Sequence, residues 1–162
     1  MLNIVKATTD EDIQKIADLA TLIWHEHYTP LLGKAQIDYM VEKFQSYNAM
    51  KNGITNDGYV YYMAYYDGVF CGYIGIIDEA EKVFLSKIYI DKAYRGKKIS
   101  KAMIETVKEN YPKAKAFYLT VNRGNTASIA AYKKMGFEII KEQVADIGNG
   151  FVMDDYIMEK SL

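Results

Sequence analysis

The chain has 162 residues, half of them apolar and a quarter charged, which is the composition of one soluble globular domain with its own core. Its net charge of −1 at pH 7 argues against a general affinity for nucleic acid. Cys71 is the only cysteine, so an internal disulfide is excluded. No apolar run approaches the roughly 20 residues that a membrane-spanning helix needs. We therefore expect a single domain over residues 1–162 in a cytoplasmic protein without membrane or nucleic-acid partners.

The N-terminal third is predicted to form one strand and two helices. Residues 3–7 have the pattern of a strand, and Thr9 followed by three acidic residues is typical of a capped helix start. A second helix is predicted over residues 34–46, and Pro30 is expected to separate the two helices. The side chains that recur at spacings of three and four along the first helix are Ile13, Ile16, Ala17, Ala20, Ile23, Trp24 and His27.

The middle of the chain has the pattern of three antiparallel strands that form a meander. Residues 59–66 and 69–77 are rich in aromatic and β-branched residues, and the Asp67-Gly68 pair between them is a strong hairpin signal. A third apolar run covers residues 83–90. Two glycines lie inside the second strand, where a bulge or a close approach of another backbone would explain them.

The C-terminal half alternates helices and strands. Helices are predicted over residues 97–110 and 125–135, with a strand over residues 115–121 between them. The first of these helices can place that strand parallel to residues 83–90 by a right-handed crossover. A final hairpin follows over residues 137–158. This order predicts an α/β (α+β) fold, with a mixed and mostly antiparallel central sheet of about seven strands and helices on both faces.

The junction between the third strand of the meander and the following helix predicts a phosphate-binding site. An apolar strand passes through a glycine-containing loop into a helix, so free backbone N–H groups and the positive end of the helix dipole point at one spot. The basic side chains of Arg95, Lys97 and Lys98 gather at the same spot. We expect a phosphorylated ligand to bind there, largely through the main chain.

A second motif follows downstream, and the two together resemble the GCN5-related N-acetyltransferase (GNAT) superfamily over nearly the whole chain. In that family a Gln/Arg-x-x-Gly-x-Gly/Ala signature wraps the pyrophosphate of acetyl-coenzyme A. Arg95 fills its first position, whereas Lys98 and Ser100 stand where the family has small residues. A positive φ at Lys98 would cost roughly 1 kcal/mol relative to glycine. The second motif is Asn125-x-x-Ser128-Ile129-x-x-Tyr132-x-x-x-Gly136-Phe137.

The resemblance implies acetyl-coenzyme A as the cofactor and assigns residues to it. The pantetheine arm would lie between two splayed strands and bond to the backbone of Ile88, Tyr89 and Ile90. Asn125 and Ser128 would help to hold the cofactor, although Asn125 could equally cap its helix. The residues that would surround the pyrophosphate are Arg95, Gly96, Lys97, Lys98, Ile99 and Ser100.

The resemblance also implies a catalytic residue, because Tyr132 matches the family tyrosine that protonates the departing thiolate. A phenol with a pKa of about 10 is protonated at neutral pH and can give up that proton. Many relatives carry a glutamate as general base at the position of Ser86, and serine cannot serve. A water chain, Glu26 or His27 is left for that role. The pair Asp154-Asp155 could meet a cationic amine, or it could face solvent on the last hairpin.

Several other functional classes are excluded by missing motifs. The chain has no G-x-x-x-x-G-K-[ST] phosphate loop, no H-E-x-x-H, no paired cysteines and no G-x-S-x-G. We therefore expect no metal site, no P-loop nucleotide site and no serine hydrolase.

The expected function is acetyl-coenzyme A-dependent N-acetylation of a primary amine, either of a small molecule such as a polyamine or of a peptide. The first helix, the Tyr132 motif and the last strand look similar to bacterial enzymes that acetylate polyamines. The alternative is a non-catalytic module that binds or senses acyl-coenzyme A on the same fold. A homodimer through the tyrosine-rich residues 59–66 is possible, but core burial accounts for half of these tyrosines.

Overall fold

The computed structural model describes the backbone of residues 1–162 and every side chain except that of His27. Two short π-helical segments, Val41–Gln45 and Gly53–Asp57, flank the third helix. The helices and strands are β1 (Leu2–Lys6), α1 (Asp10–Leu32), α2 (Lys34–Met40), α3 (Tyr47–Asn52), β2 (Tyr59–Tyr66), β3 (Val69–Glu79), β4 (Lys82–Ile90), α4 (Ile99–Asn110), β5 (Ala116–Asn122), α5 (Thr126–Lys134), β6 (Glu138–Gly148) and β7 (Phe151–Ser161).

The seven strands form one sheet in the order β1-β2-β3-β4-β5-β7-β6. Every neighbouring pair is antiparallel except β4 and β5, which α4 connects as a parallel crossover. The predicted mixed sheet, its mostly antiparallel character and its meander are therefore confirmed.

Helices cover both faces of the sheet, and each face has its own apolar core. On one face α4 and α5 pack over β3, β4 and β5, with the fully buried Cys71 in this core. On the other face α1, α2 and α3 pack over the tyrosines of β2 to β4. Among the described residues, no helix has the length and apolarity that crossing a membrane requires.

The helical segment between β1 and β2 differs from its prediction in two ways. Pro30 does not separate α1 from α2, because it lies in the last turn of α1, which ends at Gly33 with a φ of 83°. Proline has no N–H to donate and its ring crowds the carbonyl four residues earlier, and here the helix continues for only two residues beyond it, to Leu32. A single helix is predicted over residues 34–46. In the structure its α-helical part, α2, ends at Met40, and residues Val41–Gln45 form a π-helical turn. The Ser46 side chain then accepts a hydrogen bond from the Ala49 N–H and starts α3.

The parallel pair β4 and β5 separates after only three residues. The register joins Lys82–Phe84 to Ala116–Tyr118, and the two strands then diverge although β4 continues to Ile90 and β5 to Asn122. Beyond Phe84, the edge of β4 that faces β5 is unpaired: no described strand forms hydrogen bonds with its backbone groups there. This gap in the centre of the sheet is the largest irregularity of the fold.

A β-bulge in β4 lies beside this gap. The register with β3 passes from Gly75 opposite Lys87 to Ile76 opposite Leu85, so it skips Ser86. Ser86 and Lys87 consequently both contact tyrosines of β2: the Ser86 hydroxyl lies 2.6 Å from Tyr59 Oη, and Lys87 Nζ lies 2.9 Å from Tyr61 Oη. Both explanations predicted for the glycines of β3 are found, because a Cβ at Gly72 would lie 2.9 Å from the Tyr89 carbonyl oxygen, and the bulge in β4 lies opposite Gly75, where a Cβ would lie 2.7 Å from the Tyr61 ring.

Lys87 is buried between the π-helical segment Val41–Gln45 and the tyrosines of β2. Its ammonium group donates to Tyr61 Oη and to the Phe44 carbonyl and lies over the Tyr59 and Tyr61 rings. No carboxylate among the described residues pairs with it. Burial lowers the pKa of Lys87 to about 7.

The buried Lys87 should make stability rise with pH above neutrality. Between about pH 7 and the ordinary lysine pKa near 10.4, the unfolded chain binds a proton that the folded chain lacks, so the free energy of unfolding increases with pH. From pH 7 to 9 we expect an increase of about 2 kcal/mol in urea titrations. Lys87→Met should abolish this increase, and Lys82→Met, at an exposed position of the same strand, should retain it. Equal pH dependence in both variants would contradict the assignment.

Candidate active site

Two cavities meet at the gap between β4 and β5. The large cavity has a volume of about 880 Å³ and lies on the α4 and α5 side of the gap. The described residues that line it are Ile23, Tyr28, Ile88, Tyr89, Ile90, Tyr94, Arg95, Gly96, Lys98, Ile99, Ser100, Lys101, Ile104, Glu105, Ala127, Ser128, Ala131, Tyr132, Lys134, Met135, Phe137 and Lys160.

The second cavity, called the small pocket below, has a volume of about 80 Å³, less than a tenth of that of the large cavity. It reaches the gap from the side of α1 and β7. Its described lining residues are Trp24, Tyr28, Leu32, Leu85, Ser86, Ile88, Tyr89, Leu119, Thr120, Val121, Asn122, Asn125, Ser128, Tyr132, Met153 and Asp155.

Tyr132 lines both cavities and therefore lies at their junction. Helix α5 carries Tyr132. Asn125 caps the start of this helix, and Gly136, where φ is 97°, follows its end. The Tyr132 ring packs edge-on against Phe137, with centroids 5.8 Å apart. Burial, and secondarily the charge of a Tyr28 phenolate, raise the pKa of Tyr132 well above that of a free phenol. The hydroxyl therefore keeps its proton at neutral pH.

Asn125 lines the small pocket and caps α5 at the same time. Its Oδ1 accepts a hydrogen bond of 3.3 Å from the Ser128 N–H, and its Nδ2 donates to Tyr28 Oη at 3.3 Å. The capping alternative from the sequence is thus correct, and only 4% of the residue is exposed. Burial raises the pKa of Tyr28 to about 12, so this second phenol at the junction is also protonated.

The predicted phosphate-binding loop borders the large cavity. Gly96 has a φ of 82°, and Lys98 adopts left-handed angles of φ 61° and ψ 27° as the residue before α4. No described side chain caps α4, whereas Thr9, Ser46 and Asn125 cap α1, α3 and α5. The first N–H groups of α4 therefore point at the cavity without a side-chain partner, which is the arrangement that binds anions.

Two of the predicted site residues have side chains outside both cavities. Lys97 Nζ lies 5.1 Å from the centroid of the Tyr66 ring, and Lys97 does not line the large cavity. Glu26 is exposed and lines neither cavity. The reason is helical geometry, because Glu26 lies two residues beyond the buried Trp24 and so points to the opposite side of α1. The side chain of His27 lies outside the described residues.

The two adjacent aspartates of β7 point to opposite faces of the strand. Asp154 Oδ1 accepts a hydrogen bond of 3.0 Å from Arg123 Nε on the surface. Asp155 is only 6% exposed and lines the small pocket. Burial, and secondarily the neighbouring Asp154, raise the pKa of Asp155 to about 6. The solvent-facing alternative therefore holds for Asp154, whereas Asp155 faces the small pocket.

Metal binding has no structural support in the described part of the chain. No group of three or more His, Cys, Asp or Glu side chains there is arranged to hold an ion. The chemistry available at the junction is that of phenols, a carboxylate and backbone amides.

A protein-family model described as an acetyltransferase (GNAT) domain matches residues 28–160. The chain belongs to the GNAT acetyltransferase family. The match includes both motifs, the gap between β4 and β5, and every lining residue of the two cavities except Ile23 and Trp24. Because GNAT enzymes use acetyl-coenzyme A, the sequence prediction of this cofactor is confirmed at the level of the family.

Curated GNAT relatives include polyamine acetyltransferases. The chain is 34% identical over 86 residues to a probable spermine N(1)-acetyltransferase of Bacillus subtilis subsp. natto, a match that covers 46% of this chain and 56% of that protein. The chain thus spans little more than half the length of the Bacillus relatives that it matches. It is 24% identical over 157 residues to a spermidine N(1)-acetyltransferase of Thermoplasma acidophilum, covering 93% and 94% of the two chains.

Solved GNAT structures share the whole fold. The PaiA N-acetyltransferase of Thermoplasma acidophilum in complex with coenzyme A superposes with a TM-score of 0.81 at 23% identity, covering 100% of this chain and 99% of that one. A GNAT protein of Rhodopseudomonas palustris superposes with a TM-score of 0.80 at 15% identity, covering 99% and 95%. At these identities the likeness establishes the fold.

The left-handed conformation of Lys98 leads to a prediction about stability. An L-residue in this conformation is strained by about 1–2 kcal/mol, and the added flexibility of glycine in the unfolded chain offsets part of the relief. Lys98→Gly should therefore raise the free energy of unfolding by roughly 0.5–1 kcal/mol in urea titrations. Lys97→Gly is the matched control, because φ there is negative, and it should bring no gain. A loss of stability in Lys98→Gly would contradict the strain.

Proposed function

We propose that the protein transfers an acetyl group from acetyl-coenzyme A to a primary amine of a slender, cationic small molecule of the polyamine class. The observation that carries this proposal is the position of Tyr132, whose side chain lines both the large cavity and the small pocket within the gap of the sheet. A hydroxyl group at that junction can contact the acetyl donor in one cavity and the acetyl acceptor in the other.

The large cavity fits coenzyme A in three respects. Its volume suits an extended cofactor, and one wall is the unpaired edge of Ile88, Tyr89 and Ile90, which can bond to the amides of pantetheine. The uncapped start of α4 can bind the pyrophosphate through the backbone from Gly96 to Ser100. Arg95 and Lys98 add positive charge at the same end. Ser128 lines both cavities, and Asn125 lines the small pocket beside it.

Tyr132 acts as the general acid in this proposal. When bound, acetyl-coenzyme A supplies the acetyl group as a thioester, and the reaction leaves a thiol that needs a proton. The Tyr132 hydroxyl holds that proton at neutral pH because burial raises its pKa. Tyr28 is a second protonated phenol nearby, and its oxygen accepts a hydrogen bond from Asn125 Nδ2.

The small pocket is the site of the acceptor amine. Its volume of about 80 Å³ suits the end of an unbranched aminoalkyl chain better than a branched group such as the substituted α-carbon of a peptide terminus. Trp24, Tyr28 and Tyr89 line it with aromatic rings, which favour a cation. The relatives with spermine and spermidine in their names support this class of acceptor.

The non-catalytic alternative rests on specific departures from the GNAT pattern. Ser86 replaces the usual glutamate, and Lys98 and Ser100 replace small residues of the pyrophosphate signature. The left-handed angles of Lys98 reproduce the conformation that glycine usually supplies. With lysine in place of glycine, the backbone of the loop can therefore still bind the pyrophosphate. The alternative would be supported by coenzyme A binding without thiol release for any amine.

Replacing Tyr132 tests the proposed catalytic step. Tyr132→Phe keeps the ring but removes the acid, so kcat for spermidine should fall about 100- to 1000-fold in a thiol-release assay. The affinity for coenzyme A, measured by calorimetry, should stay within about threefold of wild type, because the ring packing is kept. Tyr118→Phe is the matched control, since its hydroxyl bonds to Glu79 at the far end of β5. Full activity in Tyr132→Phe would refute the assignment of the acid.

The two residues of α1 that the sequence offered as bases can be tested in the same assay. Glu26→Gln should keep kcat/KM for spermidine within about twofold, because its side chain is exposed and lines neither cavity. His27→Gln, measured in the same assay, tests whether His27 acts as the base. A large loss of activity in Glu26→Gln would contradict the placement of Glu26 outside the site.

A further inference from the structure

Asp155 and Trp24 present unpaired polar atoms to the small pocket. Asp155 Oδ1 and Trp24 Nε1 are the two buried side-chain polar atoms without a hydrogen-bond partner among the described residues. Both residues line the small pocket, one from β7 and the other from α1. Buried polar atoms are nearly always hydrogen-bonded in folded proteins, so an unpaired acceptor and an unpaired donor in one pocket indicate a polar occupant.

Asp155 faces the interior of the fold, whereas its neighbour Asp154 lies at the surface. Successive residues of a strand point to opposite faces, so Asp154 and Asp155 cannot share one environment. Asp154 is held at the surface by Arg123, which also bonds to Glu142 on β6. Asp155 lies opposite Asn122 of β5, where that strand has already diverged from β4.

The groups that face Asp155 are acidic or neutral. Tyr28 from α1, Tyr89 from β4 and Tyr132 from α5 line the same pocket as phenols, and the charge of Asp154 acts on Asp155 along β7. No lysine or arginine is among the described residues that line the small pocket. A buried carboxylate without a cationic partner is costly, and a cationic ligand would remove that cost.

We propose that Asp155 binds the ammonium group of the acceptor and takes a proton from it. This inference rests on the proposed function and adds the general base that Ser86 cannot supply. Asp155 is then a catalytic residue, because its carboxylate contacts the reacting nitrogen.

The proposed step is a proton transfer that balances without any other reactant. One N–H bond of the ammonium group breaks, and one O–H bond forms on Asp155, so the nitrogen keeps the electron pair and becomes a neutral amine. The carboxylate becomes a neutral carboxylic acid, which later releases the proton to solvent. A carboxylate with a pKa of about 6 is closer to the operating pH than an ordinary aspartate, and it is still ionised at pH 7 to receive the cation.

Asp155→Asn is the direct test, because the amide has nearly the same shape but neither the charge nor the basicity. We expect kcat/KM for spermidine to fall at least 100-fold. We also expect calorimetry on the coenzyme A-loaded protein to show at least tenfold weaker binding of spermidine. The thermal midpoint should not decrease, since a buried unpaired charge is removed. The control Asp154→Asn, at the adjacent surface position, should keep kcat/KM within about threefold.

The pH profile separates a base from a merely structural residue. If Asp155 deprotonates a bound ammonium group, wild-type kcat/KM should rise up to about pH 6–7 and then level off. Asp155→Asn must instead select the small fraction of neutral amine in solution, so its kcat/KM should keep rising tenfold per pH unit towards pH 9. Identical profiles in the two proteins would overturn the inference.

The same data distinguish failure of this inference from failure of the proposed function. If wild-type protein binds coenzyme A and releases thiol with spermidine while Asp155→Asn does so equally well, only the role of Asp155 is wrong. If wild-type protein binds no coenzyme A, or releases no thiol with any primary amine, the proposed function itself is wrong. A loss of coenzyme A affinity in Asp155→Asn would also overturn the inference, because Asp155 does not line the large cavity.

Discussion

The whole site depends on the failure of two parallel strands to stay paired. After three residue pairs, β4 and β5 separate, and the centre of the sheet acquires an edge that a ligand can bind. Unpaired backbone groups inside a protein are unfavourable, so such an opening persists only where packing on both sides holds it. Here α4 and α5 support one side, and α1 supports the other. The two cavities, and the phenol between them, are consequences of this separation.

Burial determines the protonation states at the junction. The phenols of Tyr28 and Tyr132 have raised pKa values, so both stay protonated at neutral pH. The same desolvation raises the pKa of Asp155, which makes this carboxylate a stronger base than an ordinary aspartate. One physical effect thus keeps the phenol on the α5 side of the gap protonated and raises the basicity of the carboxylate on the β7 side.

Much of the fold could be predicted because its signals are local. The Asp67-Gly68 hairpin, the Asn125 cap and the helix stop at Gly136 each depend on a few neighbouring residues. The bulge at Ser86 could not be predicted, because it is a mismatch of register with β3 rather than a property of β4. For Asp154-Asp155 the alternation of a strand requires opposite environments, but only the tertiary structure tells which residue faces a pocket. Pro30 appeared to be the helix boundary, whereas α1 continues past it to Leu32 and is ended by Gly33, whose φ is 83°.

The most direct test of the central claim is amide hydrogen exchange with and without coenzyme A. If the gap and the uncapped start of α4 bind the cofactor through the main chain, the amides of residues 86–101 should exchange more slowly in the complex, by about tenfold or more. The outer strands β1 and β6 should be unchanged. Binding of coenzyme A without protection in residues 86–101, or with protection confined to another surface, would contradict the account.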